Sequence, residues 1–173
     1  LLLIVRIQHA MKTLVLLASL LALASTASAQ TVSSSEKQAL AKQLNELMGD
    51  PKKPKQEVKL ELTGCHVQQT IRDTEADVHM SQPIAVSVNK GGSDWSVNLD
   101  NGKFEMKMGF EWSEVTAITY AAGTDDNRHT YDLKVKRQSK NSNTTTSMSL
   151  NTSNETLVKE LVRRLEAVRR SCQ

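Results

Sequence analysis

The sequence predicts an α+β domain, mostly strand: an antiparallel curled sheet or partly open barrel of about seven strands, with an N-terminal helix and a C-terminal amphipathic helix that caps it. Three observations carry this expectation. Between Glu57 and Leu150 the apolar residues recur with a period of two. Clusters of turn-forming residues punctuate that region, with Asp100-Asn101-Gly102 the strongest hairpin signal among them. From Asn154 to Ser171 the period becomes helical, and Leu157, Val158, Leu161, Val162, Leu165 and Val168 form one apolar stripe. A sheet with one wet face must bury the other, and this helix is the element expected to cover it.

The chain opens with a targeting pattern. Met11-Lys12 precedes an apolar run from Leu14 to Ala24, which Ala27-Ser28-Ala29 closes ahead of Gln30. A short positive segment, an apolar core and small residues at a cleavage point are the parts of a secretory signal peptide. Residues 11–29 are read as that peptide, cleaved near Ala29, and residues 1–10, which lack a Met, as an upstream translated segment. A membrane anchor is the competing reading, but the apolar run is shorter than the roughly 20 residues that span a bilayer. The expected location is exported, periplasmic or secreted, with no stable membrane anchor after cleavage.

Taking residues 1–29 from 173 leaves 144, enough for one domain with a core. Arg6 and Lys12 leave with the leader, so 20 basic residues stand against 19 acidic ones, a net charge of about +1. Such a balance gives no electrostatic case for nucleic acid or an anionic surface. Cys65 and Cys172 are the two cysteines. In an exported chain an even pair reads most simply as one disulfide, with two free thiols or a redox pair as the alternatives. A Cys-x-x-Cys spacing, the usual mark of redox use, is missing. A bridge would close a loop of about 100 residues, worth roughly 4–5 kcal/mol in the chain-entropy account.

Residues 30–55 read as a flexible lead, a helix and a linker. Ser33 and Glu36 have capping-box spacing, Leu40, Leu44, Leu47 and Met48 share a face, and Gly49 and Pro51 end the helix. The β domain with its C-terminal helix follows, over residues 56–173. Val58, Leu60 and Leu62 alternate with polar residues, and the phase then shifts across Thr63-Gly64 to Cys65, Val67 and Ile71. That shift predicts a bulge or bend within one long strand. Asp73 to Asp77 is a turn, and Val78 and Met80 begin a further strand that Pro83 breaks or edges. Ile84, Val86 and Val88, then Trp95, Val97 and Leu99, then Phe104, Met106, Met108, Phe110 and Trp112 give a three-stranded meander with one wet face. Val115, Ala117, Ile118 and Tyr120 supply the next strand. Tyr131, Leu133 and Val135 supply another, with Lys134, Lys136 and Arg137 facing water. Gln138 to Asn143 is a polar turn, and Thr144 to Leu150 a weak edge strand. For the last helix, Thr152 and Glu155 have capping-box spacing.

With Phe110-Glu111-Trp112-Ser113-Glu114-Val115 entering a strand pair ahead of a closing helix, the order of elements resembles the pleckstrin homology-like superfold, including its GRAM-type members. Thr63-Gly64-Cys65 and the ending Ala167-Val168-Arg169-Arg170-Ser171-Cys172 resemble small exported bacterial proteins. The resemblance covers Gln56 to Cys172 and implies a fold more than an activity. Cytosolic members of that superfold bind phosphoinositide headgroups through basic residues in the first strand-pair loop. The corresponding Arg72-Asp73-Thr74-Glu75-Ala76-Asp77 carries three acidic residues and one arginine, which argues against that ligand.

Candidates for chemistry are few. His66 and His79 adjoin strand positions and are expected to face solvent, and His129 follows Asp125-Asp126-Asn127-Arg128 in a predicted loop. Asp125, Asp126 and His129 could in principle hold a metal, but acidic residues at a turn are more often turn formers. No catalytic, cofactor-binding or metal residues are therefore assigned. No His-Glu-x-x-His, Gly-x-Ser-x-Gly or phosphate-cradling glycine loop occurs. Asn143, Asn151 and Asn154 begin Asn-x-Ser/Thr triplets in a Thr/Ser-rich segment, where composition alone produces them. Two readings remain. One is an exported non-catalytic binding or structural module, whose partner is a protein, peptide or envelope component met at a sheet edge or a groove beside the last helix. The other is a small-barrel carrier of an apolar ligand, with Met80, Met106, Met108 and Trp112 lining its cavity. A hydrolase is disfavoured.

Overall fold

A computed structural model describes residues 31–79, 82–90, 93–125, 128–139 and 142–173. The leader, Met80, Gly91-Gly92 and Asp126 lie outside the described residues. Helix α1 (Ser34–Met48) opens the described chain. Strands β1 (Gln56–Thr63), β2 (His66–Asp73), β3 (Ile84–Lys90), β4 (Ser93–Asp100) and β5 (Lys103–Glu111) follow. A 3-10 turn (Trp112–Glu114) leads into β6 (Val115–Asp125), β7 (Arg128–Ser139) and β8 (Ser142–Leu150), and helix α2 (Glu155–Arg170) closes the chain. The expected class, α+β and mostly antiparallel strand with a helix at either end, is therefore the observed one. The eight strands among the described residues form one sheet in the order β1-β2-β5-β4-β3 and another in the order β6-β7-β8, and the sheets do not close into a barrel.

The helices form for the reasons their sequences give. Ser33 Oγ accepts from the Glu36 amide at 3.2 Å and caps α1, which ends at Gly49. Its buried face, Leu40, Ala41, Leu44 and Met48, repeats at helical spacing. The stripe of α2 buries Val158, Leu161, Leu165 and Val168, each worth about 1.5–3 kcal/mol when fully withdrawn from water. Its start differs from the expected Thr152–Glu155 box. Asn154 is the cap, its side chain accepting from the Leu157 amide at 3.1 Å, while Thr152 Oγ1 accepts from the Asn154 amide.

Other boundaries move as well. The phase shift at Thr63-Gly64 is a tight hairpin, not a bulge in one strand: Thr63 pairs with His66, and Gly64 takes φ 59° in the turn between them. Val78 belongs to the connection before β3 rather than to a strand, its carbonyl accepting from the Gly102 amide. The true bulge lies in β6 between Val115 and Ala117, which lets both Val115 and Ile118 face the core. Pairing of β7 with β8 runs out to Gln138↔Asn143 and Ser139↔Ser142, so most of the expected polar turn is strand. His129 lies in β7, not in a loop. Arg137 shares the parity of Leu133 and Val135 and lays its guanidinium 4.5 Å over the Phe110 ring instead of facing water.

One hydrophobic core joins both helices, both sheets and the 3-10 turn, through residues such as Leu44, Leu60, Phe110, Trp112, Leu133 and Leu161. Helix α1 and the second sheet thus bury the β1-β2-β5 end of the first sheet. Among the described residues, none of β3 or β4 belongs to this core. Cys65, in the β1–β2 turn, is bonded to Cys172 just beyond α2, with an S–S distance of 2.08 Å. The Trp112 amide donates to the Cys65 carbonyl at 2.8 Å, so the backbone at the bridge is tied to the start of the 3-10 turn.

Candidate functional site

Cross-strand partners in an antiparallel sheet share a face, so the register of the five-stranded sheet divides its side chains cleanly. On one face run three apolar rows. The first is Leu60, Gln69, Met108, Trp95 and Val88, and the second is Val58, Ile71, Met106, Val97 and Val86. The third ends in Phe104, Leu99 and Ile84. Each row starts under or near the core and runs outward across β5, β4 and β3. Leu60 is buried, Met106 and Met108 are half-buried, and the outer members stand in water. Ile84 is 44% exposed, Val86 47%, Val88 39% and Trp95 42%. The cover stops near a small cleft of about 240 Å³ where Met48 and Met148 meet Val58 and Ile71.

This overhang corrects one sequence expectation. Trp95 and the β3 valines have the parity of core residues, as expected, but they stay exposed and none joins the core among the described residues. Four large apolar side chains side by side are unlike the scattered exposed residues normal on a protein surface. The opposite face of the sheet is wet and paired. Arg72 meets Glu105, Lys107 reaches Glu105 at 2.9 Å and Lys59 reaches Glu61 at 2.8 Å. The hydrogen bond from Lys107, then that from Arg72, holds the Glu105 carboxyl below the usual carboxylate range. Gly109 lies on this face with the Asp94 carboxylate and the His66 ring closing over it.

The two edges of the sheet contrast. At β1, Asn45 of α1 supplies what a further strand would: its Nδ2 donates to the Leu60 carbonyl at 3.0 Å, and its Oδ1 accepts from the Leu60 amide at 2.6 Å. Lys37, buried although charged, donates to the Gly64 carbonyl at 2.7 Å at the end of that strand. Helix α1 lies along β1, leaving an open groove of about 680 Å³ between them. At β3 the edge has no such partner among the described residues: it pairs with β4 alone there. From Ile84 to Asn89 it carries no charge, proline or bulge, the devices that usually protect an edge.

Comparison with family models, with curated proteins and with solved structures finds no match. The site therefore rests on its own geometry. Its members were singled out in the sequence only as strand residues; the uncharged run between Pro83 and Lys90 is the signal that points to an unprotected edge.

The other sequence candidates are placed elsewhere. His66 Nδ1 lies 2.9 Å from Glu111 Oε1 in a half-buried pair across β2 and β5, and His79 is exposed near Asp77. Arg128 bridges Asp125 and Asp50 at 3.3 and 3.2 Å, so Asp125 is tied into an ion pair, and Asp126 lies outside the described residues. Among the described residues no three His, Cys, Asp or Glu side chains cluster as metal ligands would. Of the residues expected to line a carrier cavity, Trp112 is buried in edge contact with Phe110, centroids 6.0 Å apart. Met106 and Met108 lie on the sheet face, and neither they nor Trp112 line the clefts above; Met80 is outside the described residues. Two of the three Asn-x-Ser/Thr asparagines are engaged: Asn154 caps α2, and Asn151 Nδ2 donates to the Gly49 carbonyl at 3.0 Å. The arginines of α2 do not form a free basic strip, since Arg163 pairs with Glu160 and Arg169 with Glu166.

Proposed function

We propose that this protein is an exported, non-catalytic binding module that docks a protein, peptide or envelope component on the β3 edge and the apolar face beside it. The observation that carries the reading is the adjacent exposure of Ile84, Val86 and Val88 on β3 and of Trp95 beside them on β4, at an edge whose outer backbone groups have no partner among the described residues, while Asn45 of α1 meets the opposite edge at Leu60. An open edge offers main-chain hydrogen bonds, and the side chains beside it offer apolar contact and selectivity, the two ingredients of recognition by strand addition. Export is supported by the Cys65–Cys172 bridge and by the leader pattern of residues 11–29. Among the described residues no helix is long and apolar enough to cross a membrane. The pleckstrin homology-like resemblance fits the order of strands followed by a closing helix, and enters here as part of the same proposal.

The test is site-specific photo-cross-linking in the native cell. A photoreactive residue at Val88 is expected to give a discrete adduct, and one at Thr119, exposed on the second sheet, is expected to give none. Absence of any adduct from Val88 and from Trp95 would reject the docking surface.

A further inference from the structure

Resting on that reading of the β3 surface, we propose that its occupant is a second copy of this chain, the two joined antiparallel through β3 into one sheet of twice five strands. The strand is complementary to itself. A two-fold axis at Ser87 aligns its seven residues end to end. It sets Ser87 opposite Ser87 of the second copy, Val86 opposite Val88, and Ala85 opposite the Asn89 position. Every backbone group that the β3–β4 ladder leaves pointing outward then meets a partner, because alternate residues of an antiparallel strand face each side. Residues Ile84 to Asn89 bring no charge to the axis, so no like charges oppose one another there. The apolar rows of the two copies join across the seam, and Val86 and Val88 cover each other.

The geometry also stops at two. Pairing consumes β3 in both copies, and the edges left outermost in the joined sheet are the two β1 strands, each met at Leu60 by Asn45 of α1. A closed isologous pair results, not a growing ribbon. The contact is small. A strand of about 23 Å and an exposed patch of a few hundred Å² fall short of the roughly 800 Å² per partner of a standard interface. Association in the micromolar range is the expectation.

Sedimentation velocity of the purified protein from about 1 to about 200 μM tests this. The expected result is a mass that rises with concentration to that of two chains, with the outward-pointing half of the 84–90 amides gaining protection from hydrogen exchange as it does. Val86→Lys and Val88→Lys place a charge at positions already open to solvent. Each is expected to weaken association at least about tenfold while leaving the circular dichroism and melting curve of the monomer in place. A wild-type protein that stays monomeric throughout, or lysine variants that associate like wild type, would overturn the second copy. If the monomer nevertheless gives a Val88 adduct with another protein, the docking surface stands and only its occupant was wrong. A monomer without any adduct rejects both.

Discussion

Asn45 shows how much one polar side chain can decide. It sits on the sequence as an unremarkable helix residue between Leu44 and Leu47, and nothing in its spacing announces that it will satisfy both backbone groups of Leu60. Such pairings depend on where α1 comes to rest against β1, which a single chain read locally cannot supply. Asn45→Ala leaves a part-buried N–H and C=O without partners, and about 1–3 kcal/mol of stability should be lost in urea unfolding. The same change should expose a second sheet edge, visible as faster exchange of the Leu60 amide. If both stability and exchange stay at wild-type values, Asn45 is not guarding the edge. Gly64, by contrast, was legible as a break in the strand, but the choice between bulge and hairpin needed the Thr63↔His66 pairing.

The helices were the elements read most fully. Both apolar faces, the Ser33 cap and the Gly49 stop were present in the sequence, because helical period and capping chemistry act over a few residues. The start of α2 was misplaced because Thr152, Ser153 and Asn154 are all good cap types and only geometry selects among them. Asn154→Ala should cost about 1 kcal/mol in thermal or chemical unfolding, and Thr152→Ala clearly less. The opposite ranking would restore the earlier boundary. For the strands, alternation gave the faces of β3, β4 and β5 correctly. Whether a face is covered is set by neighbouring elements, so Trp95 read as core and stands in water. The bulge in β6 blurred the parity of Ala117 and Ile118 for a related reason: an extra residue cannot be seen from one strand alone.

At the scale of the molecule, the bridge between Cys65 and Cys172 spans 107 residues and ties the first hairpin to the end of the last helix. Replacing both cysteines by serine should lower stability by about 2–5 kcal/mol in guanidinium unfolding, with exchange rising first in the last turn of α2. Equal stability of the oxidised protein and the double variant would show that the core alone positions α2. The strand order carries a different consequence. Because β2 pairs with β5 and not with β3, Val67 must find Phe110 across about 40 residues that include the whole β3–β4 hairpin. That hairpin can zip up alone, yet it gains its place only when the late-made β5 arrives to join the two halves. The five-stranded sheet is thus sealed last at its middle, where β2 meets β5, while the hairpins on either side can form early and the flank of β3 stays bare.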